Sequence, residues 1–284
     1  MLKIIYPTIF ITNRLEKAML NTLRSIAASS LLVAAAMALP VGSAMADQLN
    51  DVLSKGTIKI GVPENFPPFG SVGKDFKHEG YDVDVAELVA KDLEVKLELV
   101  PITSKQRIPF LTSGKVDLVI SSMGANPSRA KSIWFSHAYA PFFSAVFASK
   151  DMDISSAVDL VGKKVGVTGG TIEDLELSKS LPEGVEMKRF GDNAATIAAF
   201  VSKQVDVIVT GNTVAAKVGM DNPKLKLETK FIVRQSPAFI GVKSGEMNML
   251  QWVNVFVLHK TLGGKLNELS EKWLGQKLPP LPAL

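Results

Sequence analysis

Short apolar runs bounded by turn residues recur after residue 56 and predict buried β-strands. The clearest run is residues 116–120, and the same character is found at residues 57–62, 164–167 and 205–210. Between these runs, residues 81–91 repeat apolar positions with the period of a helix. Strands that alternate with helices indicate an α/β fold.

The two halves of this pattern resemble each other. SGKVDLVIS at residues 113–121 matches VSKQVDVIVT at residues 201–210 in residue type at most positions. Many unrelated units in which a helix precedes a strand have this same sequence pattern, so the similarity alone does not prove an internal repeat. Two α/β lobes of similar plan are the simplest account of it. Residues 248–259 and 265–273 predict two closing helices.

The amino terminus predicts a secretory signal peptide in residues 1–46. Arg24 precedes an apolar run at residues 26–39, and the small residues Ala44 and Ala46 form an A-x-A cleavage site. We expect cleavage after Ala46. The segment from Met19 has the more typical length of a signal peptide, which predicts that translation starts at Met19.

Composition excludes several functions. The chain is 46% hydrophobic and 21% charged, as in an ordinary globular protein, and it has no cysteine. Its net charge of +4 comes largely from four basic residues before Asp47, so no basic surface for nucleic acid is expected. The histidines lack metal-ligand spacing and no phosphate-binding loop is present, so we expect neither a metal nor a cofactor.

The end of the 116–120 strand predicts an anion site. Ser121, Ser122 and Gly124 supply hydroxyl and backbone N–H donors where open sheets bind ligands. Arg129 follows and can donate two parallel hydrogen bonds to a carboxylate.

These motifs resemble one protein family. GKVDLVISSMGANPSRAKSIWFS is similar to the signature of bacterial polar-amino-acid-binding proteins, the periplasmic solute receptors of ABC importers (family 3 extracellular solute-binding proteins). TIKIGVPENFPPF, EGYDVDVAELVAKDL, DLVGKKVGVTGGT and EKWLG follow in the family's order. The resemblance covers nearly all of the chain after residue 56.

The resemblance implies a type II periplasmic-binding-protein fold. In this fold two lobes, each a mostly parallel sheet flanked by helices, are joined by a hinge that the chain crosses twice. We expect residues 47–148 and 237–284 to form lobe 1 and residues 149–236 to form lobe 2. The resemblance also implies a monomer in the periplasm. This monomer is expected to bind an amino acid or related carboxylate and to dock on a membrane permease.

On lobe 1 the resemblance assigns four ligand contacts. Phe66 matches an aromatic residue that covers the ligand side chain, although core packing explains it equally well. Ser122 and Gly124 match residues that offer backbone N–H groups to the α-carboxylate. Gly124 replaces the serine or threonine of most relatives, and Arg129 matches the arginine that binds the carboxylate.

On lobe 2 the resemblance assigns the turn before a helix. Gly170, Thr171 and Ile172 match the second half of the carboxylate site, and the glycine lets the backbone approach a ligand. Gly211 stands where relatives usually carry the aspartate that binds the ligand's ammonium group, and Asn212, which follows it, is a further expected ligand contact.

The missing aspartate leaves the ammonium group without its usual partner, and a buried ammonium without an anion is costly. Glu173, Asp174 and Glu64 are the candidate replacements. Acidic residues in the first turn of a helix are also favourable for the helix dipole alone, which is an equally good explanation of Glu173 and Asp174.

A second departure is Ser104, where many relatives carry a second aromatic ring. Lys105 and Arg107 beside it are expected to be surface charges, although they could also serve a ligand with an acidic side chain.

Three functions remain open from the sequence. The resemblance favours a solute receptor and not an enzyme. A periplasmic dehydratase of the cyclohexadienyl or arogenate type would use the same scaffold, with Glu173 as its general acid. An extracytoplasmic sensor module is the third alternative.

Overall fold

The computed structural model describes residues 47–282. The predicted signal peptide and the start at Met19 lie outside the described residues. The helices are α1 (Gln48–Lys55), α2 (Tyr81–Asp92), α3 (Arg107–Thr112), α4 (Ile172–Leu177), α5 (Asn193–Val201), α6 (Asn212–Asp221), α7 (Met247–Leu262) and α8 (Lys265–Leu274). The strands are β1 (Thr57–Pro63), β2 (Ser71–Val72), β3 (His78–Glu79), β4 (Lys96–Ile102), β5 (Leu118–Gly124), β6 (Ile133–Ala140), β7 (Phe143–Ser149), β8 (Lys164–Thr168), β9 (Glu186–Phe190), β10 (Val207–Gly211), β11 (Leu227–Gln235) and β12 (Ala238–Lys243).

Two five-stranded sheets form the two lobes. The first has the order β4-β1-β5-β12-β6, and the second has the order β9-β8-β10-β7-β11. In each sheet four strands run in one direction, whereas β12 or β7 runs against its two neighbours. The predicted two-lobe α/β fold with mostly parallel sheets is confirmed.

The internal similarity of the sequence corresponds to equivalent positions in the two sheets. The Asp117 carboxylate accepts a hydrogen bond from the Lys59 N–H of β1 at 2.8 Å, and the Asp206 carboxylate accepts one from the Lys164 N–H of β8 at 2.8 Å. Each aspartate immediately precedes the central strand of its sheet, β5 or β10, and joins it to the neighbouring parallel strand, β1 or β8. The matching aspartates therefore have the same structural role in both lobes.

The chain crosses between the sheets at residues 141–142 and again at residues 236–237. The Ser236 N–H donates to the Phe142 carbonyl oxygen at 3.1 Å, so the two connections lie side by side. The predicted boundary at residue 148 is wrong, because β7 pairs with β10 and β11 in the second sheet. Residues 137–149 read as one nearly continuous apolar segment, and only Pro141 marks where the chain leaves the first sheet.

Each lobe has its own hydrophobic core. In lobe 1, Ile58 and Ile60 of β1 are fully buried against helices α2 and α7. In lobe 2, Val165 and Val167 of β8 pack with Val207 and Val209 of β10. The apolar side chains of the central strands therefore hold the carboxyl ends of both sheets in fixed positions. None of the helices in the part of the chain described by the structure combines the length and hydrophobicity that a membrane span requires.

Candidate functional site: a cleft between the two sheets

Arg129 lies where the two lobes meet and is buried. It starts a short 3₁₀ turn (Arg129–Lys131) that is fixed by a hydrogen bond from the Arg129 N–H to the Asn126 side-chain oxygen at 2.8 Å. Its Nη1 donates to the Gly124 carbonyl of lobe 1 at 2.7 Å, and its Nη2 donates to the Gly170 carbonyl of lobe 2 at 2.9 Å. Burial lowers the pKa of Arg129, and the nearby carboxyl group of Glu173 opposes this shift. The predicted carboxylate-binding residues of both lobes are thus brought together around this side chain.

Ser122 is turned toward the interior of lobe 1. Its backbone is in the left-handed region, with φ of 44°. Its hydroxyl donates to the Asp82 carboxylate at 2.7 Å, and its N–H donates to the Tyr139 hydroxyl at 3.1 Å. The Tyr139 hydroxyl donates in turn to Asp82 at 2.6 Å. Both donors that the resemblance offered to a ligand are therefore used within the lobe.

Asp82 is the buried centre of this network. Burial raises the pKa of Asp82 to about 6, although the hydrogen bonds from Tyr139 and Ser122 and the charge of Arg107 oppose the shift. Sequence reasoning placed Asp82 only at the start of a helix. The role of Asp82 as a hydrogen-bond acceptor depends on the fold, which brings β5 and β6 against α2.

Gly124 ends β5 and lies against Ser236 in the second connection. A Cβ atom at position 124 would overlap the Ser236 hydroxyl and would approach Ile172 of lobe 2. The Ser236 side chain is only 3% exposed, and its hydroxyl has no hydrogen-bond partner among the described residues. The Ser236 hydroxyl therefore lies beside the position where the family's usual serine or threonine side chain would start. Sequence reasoning missed Ser236, because only the position of the second connection reveals it.

Phe142 fills the space beside Gly211. A Cβ atom at position 211 would overlap the ring of Phe142. This ring is held by Phe66 and Phe69, with centroid distances of 6.2 Å and 5.7 Å. Phe66 is itself buried and stacks on Phe69, in the core of lobe 1. The position at which relatives carry their ammonium-binding aspartate is therefore closed by an aromatic ring.

Asn212 begins helix α6 next to this ring, and its side-chain oxygen accepts a hydrogen bond from the Phe143 N–H at 3.2 Å. Asn212 thus joins the start of α6 to the start of β7.

The turn between β8 and α4 supplies the lobe 2 side of the cleft. Gly170 has φ of 82°, a conformation that a glycine adopts without strain, and its carbonyl points to Arg129. The Thr171 hydroxyl caps the helix: it accepts from the Asp174 N–H at 3.3 Å and donates to the Thr168 carbonyl at 2.9 Å. Ile172 is buried and faces Gly124 across the cleft.

The three candidate ammonium partners lie in different environments. Asp174 pairs with the Arg189 guanidinium at 2.7 Å and accepts a hydrogen bond from the Gly170 N–H at 3.0 Å. Both carboxylate oxygens of Asp174 are therefore already bonded to residues of lobe 2. Glu64 is exposed at the end of β1. Glu173 is 3% exposed and accepts a hydrogen bond from the Ser144 hydroxyl at 3.1 Å. Burial raises the pKa of Glu173, and the charge of Arg107 opposes this shift.

Arg107 is a buried residue of the cleft and not a surface charge. Its side chain is 5% exposed, and its Nε donates to the Ser121 hydroxyl at 3.1 Å. Lys105 is exposed, and its side chain packs on the backbone of Gly169 and Gly170. Sequence reasoning expected both charges at the surface, because α3 is too short to show a reliable apolar face.

The fold and the cleft define a two-lobe protein whose binding elements lie at the facing edges of two α/β sheets. Residues 58–276 match the family model of the bacterial extracellular solute-binding proteins, family 3. The chain belongs to this family. The resemblance stated from the sequence motifs is thereby confirmed.

Characterised relatives agree with this assignment. The chain is 30% identical over 230 residues to the L-cystine-binding protein TcyJ of Escherichia coli (strain K12), which covers 80% of this chain and 86% of the relative. It is 28% identical over 200 residues to the ABC transporter glutamine-binding protein GlnH of Bacillus subtilis (strain 168), with 69% and 72% covered.

Solved structures share the type II fold. One is a solute receptor for L-cysteine of Neisseria gonorrhoeae, with a TM-score of 0.74, 29% identity and coverage of 80% of this chain and 93% of that one. Another is the ancestral amino acid-binding protein AncCDT-1, described as a precursor of cyclohexadienyl dehydratase, with a TM-score of 0.73, 31% identity and coverage of 80% and 99%.

The raised pKa of Asp82 predicts a specific dependence of stability on pH. In the unfolded chain this carboxyl ionises near its ordinary pKa of 3.8, and in the folded protein it ionises at about 6. Between these values only the folded state keeps the proton, so the free energy of unfolding falls as the pH rises from about 4 to about 6. The loss is up to about 3 kcal/mol.

Urea unfolding of the wild type and of Asp82→Asn between pH 4 and pH 7 measures this effect. The difference between the two stability curves should change by up to about 3 kcal/mol across that range. Parallel stability curves for the wild type and Asp82→Asn would contradict the prediction.

The overlap of Gly211 with Phe142 predicts that Gly211→Ala destabilises the protein by about 1–3 kcal/mol, as overpacking typically does. The backbone of Gly211 has φ of −73°, which alanine adopts freely, so the cost comes from the ring alone. In a Phe142→Ala background the same substitution should cost less than about 0.5 kcal/mol. Denaturant unfolding of the four variants checks this, and an equal cost in both backgrounds would refute the overlap.

Proposed function

We propose that this protein is the periplasmic receptor of an ABC importer and that it binds an amino acid or a related small carboxylate between its lobes. The observation that carries the proposal is the position of Arg129. This guanidinium uses one N–H donor on a carbonyl of each lobe and keeps its other donors for a ligand carboxylate. A carboxylate bound there would contact both lobes at once and would favour the closed state.

The elements around Arg129 complete the proposed carboxylate site. Gly124 offers its backbone N–H, and the unpartnered Ser236 hydroxyl lies beside it. The backbone at Thr171 and Ile172 would cover the ligand from lobe 2, while the aromatic cluster with Phe66 closes the cleft on the lobe 1 side. The names of the relatives, which describe binding proteins for amino acids, support the same ligand class.

Hinge closure would follow from the paired connections. We propose that residues 47–140 and 238–282 form one moving body and residues 143–235 the other. Both connections are two residues long and are hydrogen-bonded to each other. Two short parallel connections restrict the motion to a bend that opens or closes the cleft. The closed form of a monomer would then dock on the membrane permease after export and cleavage behind Ala46.

Glu173 is the proposed partner of a ligand ammonium group. Glu173 and Asp174 are both buried, but Asp174 is paired with Arg189, whereas no arginine or lysine forms a salt bridge with Glu173 among residues 47–282. Its position on α4 places it in lobe 2, as the missing aspartate at position 211 would be.

A buried acid with a raised pKa is also what a general acid requires, so a dehydratase on this scaffold is the second candidate. The likeness to AncCDT-1 adds to it. Formation of product from a cyclohexadienyl substrate by the wild type, and its loss in Glu173→Gln, would favour the enzyme.

Arg129→Ala should weaken carboxylate ligands about 10- to 150-fold, because about 1.5–3 kcal/mol of charge-assisted hydrogen bonding is lost. Lys131→Ala is the matched control, since it removes an exposed cation from the same 3₁₀ turn and should change affinity little. A thermal-shift screen of amino acids and small carboxylates, followed by calorimetry, provides the measurement. Equal affinity of Arg129→Ala and the wild type would remove Arg129 from the site.

Glu173→Gln should weaken ligands that carry an amine about 10- to 150-fold, through loss of an ionic hydrogen bond of about 1.5–3 kcal/mol. Ligands of the same length without the amine should change much less. Asp174→Asn serves as the comparison, because the contacts of Asp174 lie within lobe 2. Calorimetric titration of both ligand types into both variants decides it; an equal loss for the two types would show that Glu173 does not contact the amine.

A further inference from the structure

A second cationic group, that of Arg107, lies near Arg129 and forms no salt bridge among the described residues. Arg107 is buried, and its recorded side-chain hydrogen bond is to the neutral hydroxyl of Ser121. No carboxylate of the described residues forms a salt bridge with Arg107; the described ion pairs of arginine involve Arg189 and Arg234. Burial and the charge of Arg129 lower the pKa of Arg107 to about 10, and the charges of Glu173 and Asp82 oppose this shift without forming a salt bridge to it. Two guanidinium groups are therefore close enough to repel each other in a partly dehydrated cleft.

The cavity next to these two side chains is cationic. It has a volume of about 390 Å³ and opens between α3 and the Gly170 turn. Lys105, Arg107 and Arg129 line it, and no acidic side chain is among the described residues that do so. Ser104 also lines it, with a buried hydroxyl that has no hydrogen-bond partner in the described part of the chain.

The charges of the whole cleft favour an anionic ligand. Lys105, Arg107 and Arg129 outnumber the two buried acids of the cleft that have no salt bridge, Asp82 and Glu173, and Asp82 already accepts hydrogen bonds from Tyr139 and Ser122. The third buried acid of the cleft, Asp174, is paired with Arg189. Keeping two guanidinium groups and an unpartnered hydroxyl away from water is costly unless an anion completes their hydrogen bonds. One carboxylate at Arg129 leaves Arg107, Lys105 and Ser104 unsatisfied.

We propose that the ligand is a dicarboxylate, with its second carboxylate bound by Arg107 and assisted by Lys105 and the Ser104 hydroxyl. This inference rests on the proposed function, because it takes Arg129 as the site of the first carboxylate. Arg107 thereby becomes the residue that determines specificity. Arg107 lies near Ser104, the position at which many relatives carry an aromatic ring. This part of the cleft is therefore charged in the present protein, whereas it is apolar in those relatives.

The test uses ligands that differ in one group at a time. L-Glutamate and L-glutamine differ only in the second carboxylate, and glutarate is the dicarboxylate without the amine. L-Aspartate, L-asparagine and succinate repeat the comparison with a shorter chain. Calorimetry with the wild type should give affinities at least tenfold higher for a dicarboxylate than for its amide counterpart in one of the two series.

Variants then assign the preference to its residue. Arg107→Gln should lose at least tenfold in affinity for the dicarboxylate and should leave the amide ligand within threefold. Lys105→Gln, at an exposed side chain whose loss does not threaten folding, should weaken the dicarboxylate two- to fivefold. Lys131→Gln is the control for general loss of positive charge and should behave as the wild type.

The outcomes separate the two proposals. If L-glutamine, L-asparagine or a cationic amino acid binds as tightly as the dicarboxylates, and Lys105→Gln changes nothing, the dicarboxylate inference is overturned and the receptor proposal stands. If no carboxylate compound binds the wild type, the receptor proposal itself fails. If Arg107→Gln does not fold, Lys105→Gln and the wild-type ligand series still decide the question.

Discussion

A buried guanidinium between two lobes is the constraint on which the rest of the cleft depends. Arg129 needs acceptors within hydrogen-bond distance, and it takes one carbonyl from each lobe, at Gly124 and Gly170. Side chains at these two positions would collide with their neighbours, position 124 with the Ser236 hydroxyl of the second connection and position 170 with the Lys105 side chain. The small residues at the strand ends therefore follow from the need to surround one charge with backbone oxygen atoms.

Much of the fold could be predicted from the sequence because its signals are local. Apolar runs at residues 57–62 and 164–167 identify β1 and β8, and the repeated aspartate before β5 and β10 marks the same strand junction in each lobe. The first connection could not be placed, because one apolar segment continues from β6 into β7. Only strand pairing, which is a contact between residues distant in sequence, assigns β7 to the second lobe.

The site was predictable to a smaller extent for the same reason. Arg129, Gly170 and Thr171 follow strands whose ends must meet, so their position could be inferred. The inward direction of Ser122, the burial of Arg107 and the hydroxyl of Ser236 depend on contacts with Asp82, Ser121 and Gly124. No pattern within a single segment carries that information. These residues deviate from the motif's expected roles, and they are the ones that give this cleft its individual chemistry.

The ring of Phe142 over Gly211 has a consequence for how ligand preference can change in evolution. An acid at position 211 requires space that the ring occupies, so the substitution that would restore the family's ammonium site is disfavoured while Phe142 is present. A smaller residue at position 142 must come first, and this step removes a packing partner of Phe66 and Phe69 and alters the connection between the lobes. The two substitutions are epistatic, their order is constrained, and the present specificity is protected by an intermediate of lower stability.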